Sequence, residues 1–226
     1  MGFAIAIDGP AAAGKTTAAK KIAEKLECVY IDTGAMYRAF GLYCLRNGIS
    51  TKDFAAVAAA CDNVNIDVRQ DAGIQKIYLN GMNVTEDIRT QEVGNAASDV
   101  GTVPEVRTKL VALQQEMAKA ANVVMEGRDI CSSVLPGAEV KVFLTASVDV
   151  RAGRRYLELA GKGTVLSLEK VREDLIKRDY QDTHRDVSPL MKVPGAVEID
   201  SSSMTADDVV AKIILLTALI LLHRQK

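Results

Sequence analysis

The chain has 226 residues, 48% of them hydrophobic and 25% charged, with a formal net charge of −1. This length and composition suit one α/β domain carrying insertions and exclude disordered, collagen-like and coiled-coil chains. The near-neutral balance supplies no field that would draw the chain onto nucleic acid or an anionic membrane, and four scattered cysteines without a Cys-x-x-Cys pair read as thiols in a reducing compartment.

In chain order, Phe3 to Asp8 reads as a short buried strand and Lys15 to Leu26 as a helix with Ala19, Ile22, Ala23 and Leu26 on one face. Cys28 to Ile31 reads as a second strand and Met36 to Arg46 as a second helix. From Val64 to Val84 the apolar positions alternate with a period of two, and Asn80-Gly81 is a hairpin signal, so an antiparallel insertion is expected at about 63–87. Pro104 opens a helix running to about Ala121. Val123 to Met125, Val140 to Leu144 and Ala196 to Ile199 are further buried strands, while Ser167 and Thr205 are N-caps, the latter paired with Asp208 in a capping box. The apolar run from Ile213 to Leu222 is only half the roughly 20 residues a membrane span needs, so a mostly buried C-terminal helix in a cytoplasmic protein is expected. Strands alternating with helices predict a doubly wound parallel sheet.

Gly9-Pro10-Ala11-Ala12-Ala13-Gly14-Lys15-Thr16 fits G-x-x-x-x-G-K-[ST], between a predicted strand and a predicted helix. Glycines at both ends let backbone N–H groups converge on phosphate oxygens, and the helix N-terminus adds partial positive charge. Lys15 would bridge β- and γ-phosphates, and the Thr16 hydroxyl would serve Mg²⁺. The chain has no Asn-Lys-x-Asp base-reading segment of a GTPase and no Asp-Glu strand end of a motor. Val123-Val-Met-Glu126 comes nearest to a metal-binding acidic strand end. Arginines stand after the strands instead: Arg38, Arg128, the group Arg151, Arg154 and Arg155, and Arg178 and Arg185 flanking Asp182. Phosphoryl transfer spreads negative charge that guanidinium forks neutralise, so this placement points to a kinase.

Five segments carry a resemblance: Ile7 to Thr16, Asp32-Thr-Gly-Ala-Met-Tyr-Arg38, Asn95-Ala-Ala-Ser98 with Val106-Arg107, Glu126-Gly-Arg-Asp129, and Arg178 to Arg185. In their order and over nearly the whole length, the chain resembles the bacterial-type cytidylate kinase family, P-loop nucleoside monophosphate kinases. The resemblance implies a small antiparallel insertion at about 63–87, a lid at about 151–164, and a core of 1–62, 88–150 and 165–226. It implies ATP contacts from Gly9 to Thr17 and from Arg151, and catalytic roles for Lys15, Arg128, Arg154 and Arg155. It also implies a CMP site of Thr33, Arg38, Ser98, Arg107, Arg128, Asp129, Arg178, Asp182 and Arg185. Asp129 would accept from the cytosine amino group beside Arg107, an edge that uracil would mismatch. Ala12 replaces a usual glycine, and Cys131-Ser132 replaces a common Gly-Thr pair.

The expected reaction is transfer of the γ-phosphoryl group of Mg·ATP to CMP or dCMP by a monomer, with no covalent intermediate and no nucleic-acid or membrane partner. Two alternatives stay open: a small P-loop kinase for another monophosphate or metabolite, and a nucleotide-binding module without turnover.

Overall fold

The computed structural model describes residues 2–71, 74–119 and 121–224. The chain divides into two compact units, Met1–Cys28 with Asn122–Lys226, and Val29–Ala121. The first unit carries a sheet in the order β6-β1-β7-β8, made of β1 (Ala4–Asp8), β6 (Val123–Gly127), β7 (Val140–Thr145) and β8 (Val197–Asp200), and the second unit begins with strand β2 (Val29–Asp32).

In the first unit the pairs along β6-β1-β7-β8 are all parallel, with Ile5 opposite both Val124 and Val140. Ile5, Ala6, Ile7, Val123, Val124 and Met125 are fully buried, which is why these strands read as unbroken apolar runs. Helix α1 (Lys15–Lys25) packs on β6 and β1 through Ala18, Ala19, Ile22 and Ala23. The chain leaves β6 through a π-type turn at Ile130–Val134. Helices α6 (Val148–Gly161) and α7 (Leu168–His184) pack on each other around Ala152, Leu159, Val171 and Leu175. Ser147 and Ser167 cap them, as the sequence predicts for Ser167.

Helix α8 (Ala206–Arg224) starts at the predicted box, where Thr205 and Asp208 exchange backbone-to-side-chain hydrogen bonds. The expectation of a mostly buried helix needs correction. Val209, Val210, Ile213 and Thr217 face α1 and β7, but Leu215, Leu219 and Leu222 are exposed, because only one side of the helix has a layer to cover it. Among the described residues no helix is long and apolar enough to cross a membrane.

In the second unit, α2 (Thr33–Arg46) lies against α4 (Gln91–Val100), with short α3 (Phe54–Ala59) and α5 (Pro104–Ala118) beside them. The last ends at Ala118, short of the predicted Ala121. Gly41 permits the close approach of α2 to α4, since a Cβ there would lie 2.9 Å from both the Ala96 Cβ and the Ala97 nitrogen. The predicted antiparallel segment is a three-stranded sheet, β3 (Ile66–Asp71), β4 (Ile74–Leu79) and β5 (Met82–Asn83). Asn80 (φ 48°) and Gly81 (φ 82°) turn the chain between the last two strands, as the Asn-Gly signal predicts. The small sheet has no core of its own: Ile66, Ile77 and Leu79 join Met36, Phe40, Val100 and Leu110 in one cluster.

Candidate active site

In the first unit β1 runs directly into the phosphate-loop sequence. Gly9 has φ 152°, and a Cβ on it would sit 1.9 Å from the Leu144 carbonyl oxygen, so the loop's first turn admits only glycine. Gly14 has φ 94° where the loop turns into α1. Ala12 holds φ 59°, a left-handed conformation that costs an alanine roughly 1–2 kcal/mol.

Lys15 is buried, and its Nζ donates to the Pro10 carbonyl at 2.7 Å. Burial, and then the nearby Arg128 guanidinium, push its pKa down to about 7 against the pull of Glu126, Asp182 and Asp8. The Thr16 hydroxyl donates to Glu126 Oε1 at 2.5 Å; Thr17 is exposed. A hydroxyl beside one carboxylate is a hard-oxygen pair that fits Mg²⁺, which is usually held by one or two protein oxygens, substrate phosphates and water. The described residues hold no cluster of three His, Cys, Asp or Glu for a closed metal cage.

Beyond β6, Arg128 Nε donates to Asp182 Oδ2 at 2.7 Å. Burial works to raise the Asp182 pKa, but Arg128, Arg178 and Arg185 outweigh it and hold the carboxyl below its ordinary value. Arg185 Nη2 lies 3.6 Å from Asp129 Oδ1, and its Nε donates to the Ser188 carbonyl. The structure therefore brings Lys15, Arg128, Asp129, Asp182 and Arg185 into one charged group, with half-buried Arg178 acting on the same carboxylate.

The three arginines of the expected lid segment divide. Arg151 is buried and ion-paired with Asp179 at 2.7 Å, and it donates to the Ala146 and Ala11 carbonyls. Arg154 reaches the Ser201 hydroxyl and carbonyl beside the loop, and Ser201 is itself within hydrogen-bond distance of the Ala13 carbonyl. Arg155 pairs with Glu158 at 2.8 Å, one helical turn on.

In the second unit Asp32 caps α2, accepting from the Ala35 N–H at 3.0 Å and from Arg38 Nη2 at 2.6 Å. Burial raises its pKa, yet Arg38 and Arg89 outweigh this and hold the carboxyl below its ordinary value. A Cβ on Gly34 would crowd both Arg38 and Asp32 at 3.2 Å, so this glycine leaves room for the pair. Thr33 is buried at the first turn of α2. Arg107 is buried on α5, donates to the Gly101 carbonyl at 3.1 Å, and lies over the Tyr37 ring at 5.7 Å. Ser98 stands half-buried on α4.

A family model described as cytidylate kinase matches residues 5–218. The chain belongs to the cytidylate kinase family. The cytidylate kinase of Lactobacillus johnsonii is 49% identical over 209 residues, covering 92% of this chain and 91% of that one. That of Leuconostoc mesenteroides is 46% identical over 211 residues, covering 93% and 94%. Among solved structures, a gluconokinase from Sinorhizobium meliloti aligns with TM-score 0.50 at 16% identity over 99% of this chain and 97% of its own, a likeness of fold.

Reading motifs alone missed several residues that this cytidylate kinase fold puts to use. Asp8 accepts from the N–H groups of Ile130 and Cys131, both at 2.8 Å, and so fixes the turn that follows Arg128-Asp129. Its place at the end of the first buried strand was the available signal. Asp179 stands inside the Arg178 to Arg185 segment but was given no role there, Ser201 and Arg89 lie in no motif, and the partners of all three are distant in sequence.

Proposed function

We propose that the chain transfers the γ-phosphoryl group of ATP to the α-phosphate of CMP or dCMP, giving CDP or dCDP in pyrimidine nucleotide metabolism. The observation that carries the reading is the convergence of Lys15 at the phosphate loop with the Arg128–Asp182 pair, in a chain of this family.

ATP binds along Gly9 to Thr17, where loop N–H groups and the start of α1 receive its phosphates. Lys15 exchanges the Pro10 carbonyl for a phosphate oxygen, which favours its charged form. Thr16, with Glu126 beside it, would hold Mg²⁺, which when bound neutralises phosphate charge. Arg128, Arg154 and Arg155 stabilise the charge that spreads over the transferring group. Arg151 contributes to ATP binding by holding the loop, its Nε and Nη1 being engaged by Ala146, Ala11 and Asp179. The 151–164 segment excludes water from the reaction.

For CMP, Arg38 and Arg128 grip the phosphate. Asp129 accepts from the cytosine amino group, Arg107 and Thr33 complete the base edge, and Arg178, Asp182 and Ser98 hold the sugar with Arg185 beside base and phosphate. Uracil would set an oxygen against the carboxylate. The chain acts as a monomer in the cytoplasm, a setting that suits four free thiols.

The test is ATP consumption with and without CMP. Consumption that requires CMP and yields CDP supports the proposal. Binding of ATP with no consumption would favour a silent binding module.

A further inference from the structure

The period-two pattern of the small sheet is broken at one end of its buried face. Ile66 and Val68 of β3 share that face with Ile77 and Leu79 of β4, and the next positions in its register are Gln70, which is exposed, and Gln75, which is buried, directly opposite each other. A buried glutamine where the pattern calls for an aliphatic residue needs hydrogen-bond partners. Gln75 is 8% exposed and finds both partners on one residue: its Oε1 accepts from the Asp32 N–H at 2.8 Å, and its Nε2 donates to the Asp32 carbonyl at 3.2 Å. Gln70 Nε2 donates to the Tyr30 carbonyl at 2.9 Å. The two amides thus satisfy the main chain of β2 at residues 30 and 32 as a neighbouring strand would.

The two contacts differ in what lies beyond them. The peptide held by Gln75 belongs to Asp32, whose carboxylate both caps α2 and fixes Arg38 at 2.6 Å, with Arg89 Nη1 3.6 Å from the same oxygen. The peptide group of Tyr30 carries no such side chain. We infer that Gln75 is a positioning residue for the monophosphate: by clamping the Asp32 main chain it sets the carboxylate that aims Arg38, so the inserted hairpin tunes the phosphate grip. This rests on the CMP reading above, in which Arg38 holds the substrate phosphate.

The test compares Gln75→Met with Gln70→Met. Methionine keeps the length and the apolar packing of glutamine but removes the amide bonds. Four quantities are measured: KM for CMP, KM for ATP, kcat, and the inhibition constant of cytidine, which lacks the phosphate. Gln75→Met is expected to raise KM for CMP about fivefold to tenfold, the usual scale for a loosened charged hydrogen bond. Its KM for ATP and its cytidine constant are expected to stay within about twofold, since neither ligand offers Arg38 the monophosphate, and Gln70→Met is expected to stay near wild type in all four, since Gln70 bonds Tyr30 and not Asp32. A general loosening of the hairpin would move both variants, or cytidine and CMP alike, and would overturn the inference. An unchanged KM for CMP in Gln75→Met would overturn it as well. If the wild-type chain does not turn over CMP, the functional reading fails first and is recognised before any variant is read.

Discussion

The ammonium of Lys15 offers a quantitative handle on the phosphate loop. In the free protein, burial and the neighbouring Arg128 push its pKa down to about 7. The phosphates of ATP favour the charged form and draw the pKa back up, so binding takes up a proton wherever the free lysine is neutral. At pH 8 roughly nine-tenths of free molecules carry a neutral Lys15, and ATP binding absorbs about 0.9 proton from the buffer. At pH 6 the uptake falls to about 0.1 proton. The sign for affinity follows: binding is strongest below pH 7 and weakens as pH rises through that value, by up to about tenfold per pH unit. The assay is calorimetric titration of a non-hydrolysable ATP analogue in two buffers of different ionisation enthalpy at pH 6 and pH 8. The heat difference gives the proton count, and Lys15→Met removes the pH 8 uptake. Zero uptake at pH 8 in the wild type, or the same uptake in Lys15→Met, would refute the reasoning.

Other outcomes follow from single positions. Gly9→Ala drives a Cβ to 1.9 Å from the Leu144 carbonyl oxygen and should cost about 3 kcal/mol or more. Calorimetry should then show Tm lower by at least about 6 °C; an unchanged Tm would contradict the packing argument. Ala12→Gly relieves the left-handed backbone at φ 59° and returns part of the gain to the unfolded chain, for a net of about 0.5–1 kcal/mol and a Tm about 2 °C higher. A lower Tm would mean that the alanine methyl packs more usefully than its strain costs. Asp129→Ala should reduce the preference of kcat/KM for CMP over UMP by about 10²-fold, and an unaltered ratio would remove Asp129 from base reading.

How much of this was legible in the sequence depends on how local each signal is. The phosphate loop is a contiguous strand–turn–helix unit, so its glycines announced their geometry, while the left-handed backbone at Ala12 came with the fold. The Asn80-Gly81 turn and the capping pair of Thr205 and Asp208 are local in the same way. The engagement of Arg151 was not legible, because it depends on Asp179 and on a loop carbonyl at Ala11, both far along the chain. A charge after a strand looks the same whether it meets a ligand or a buried carboxylate. Gln70 and Gln75 sat inside a clear alternating pattern, yet only the fold shows that their amides meet β2. The short helix α4 and the exposed leucines of α8 escaped for a related reason: apolar residues do not reveal which layer, if any, will cover them.

Everything assigned to the base and phosphate contacts depends on cytidine monophosphate being the phosphoryl acceptor. The most direct test is ADP release with Mg·ATP and equal concentrations of CMP, dCMP, UMP, AMP, GMP and dTMP. Turnover with CMP and dCMP far above the other four is expected. Turnover led by AMP or GMP would contradict the base-reading assignment while leaving a kinase, and no turnover with any of the six would contradict the proposed reaction itself.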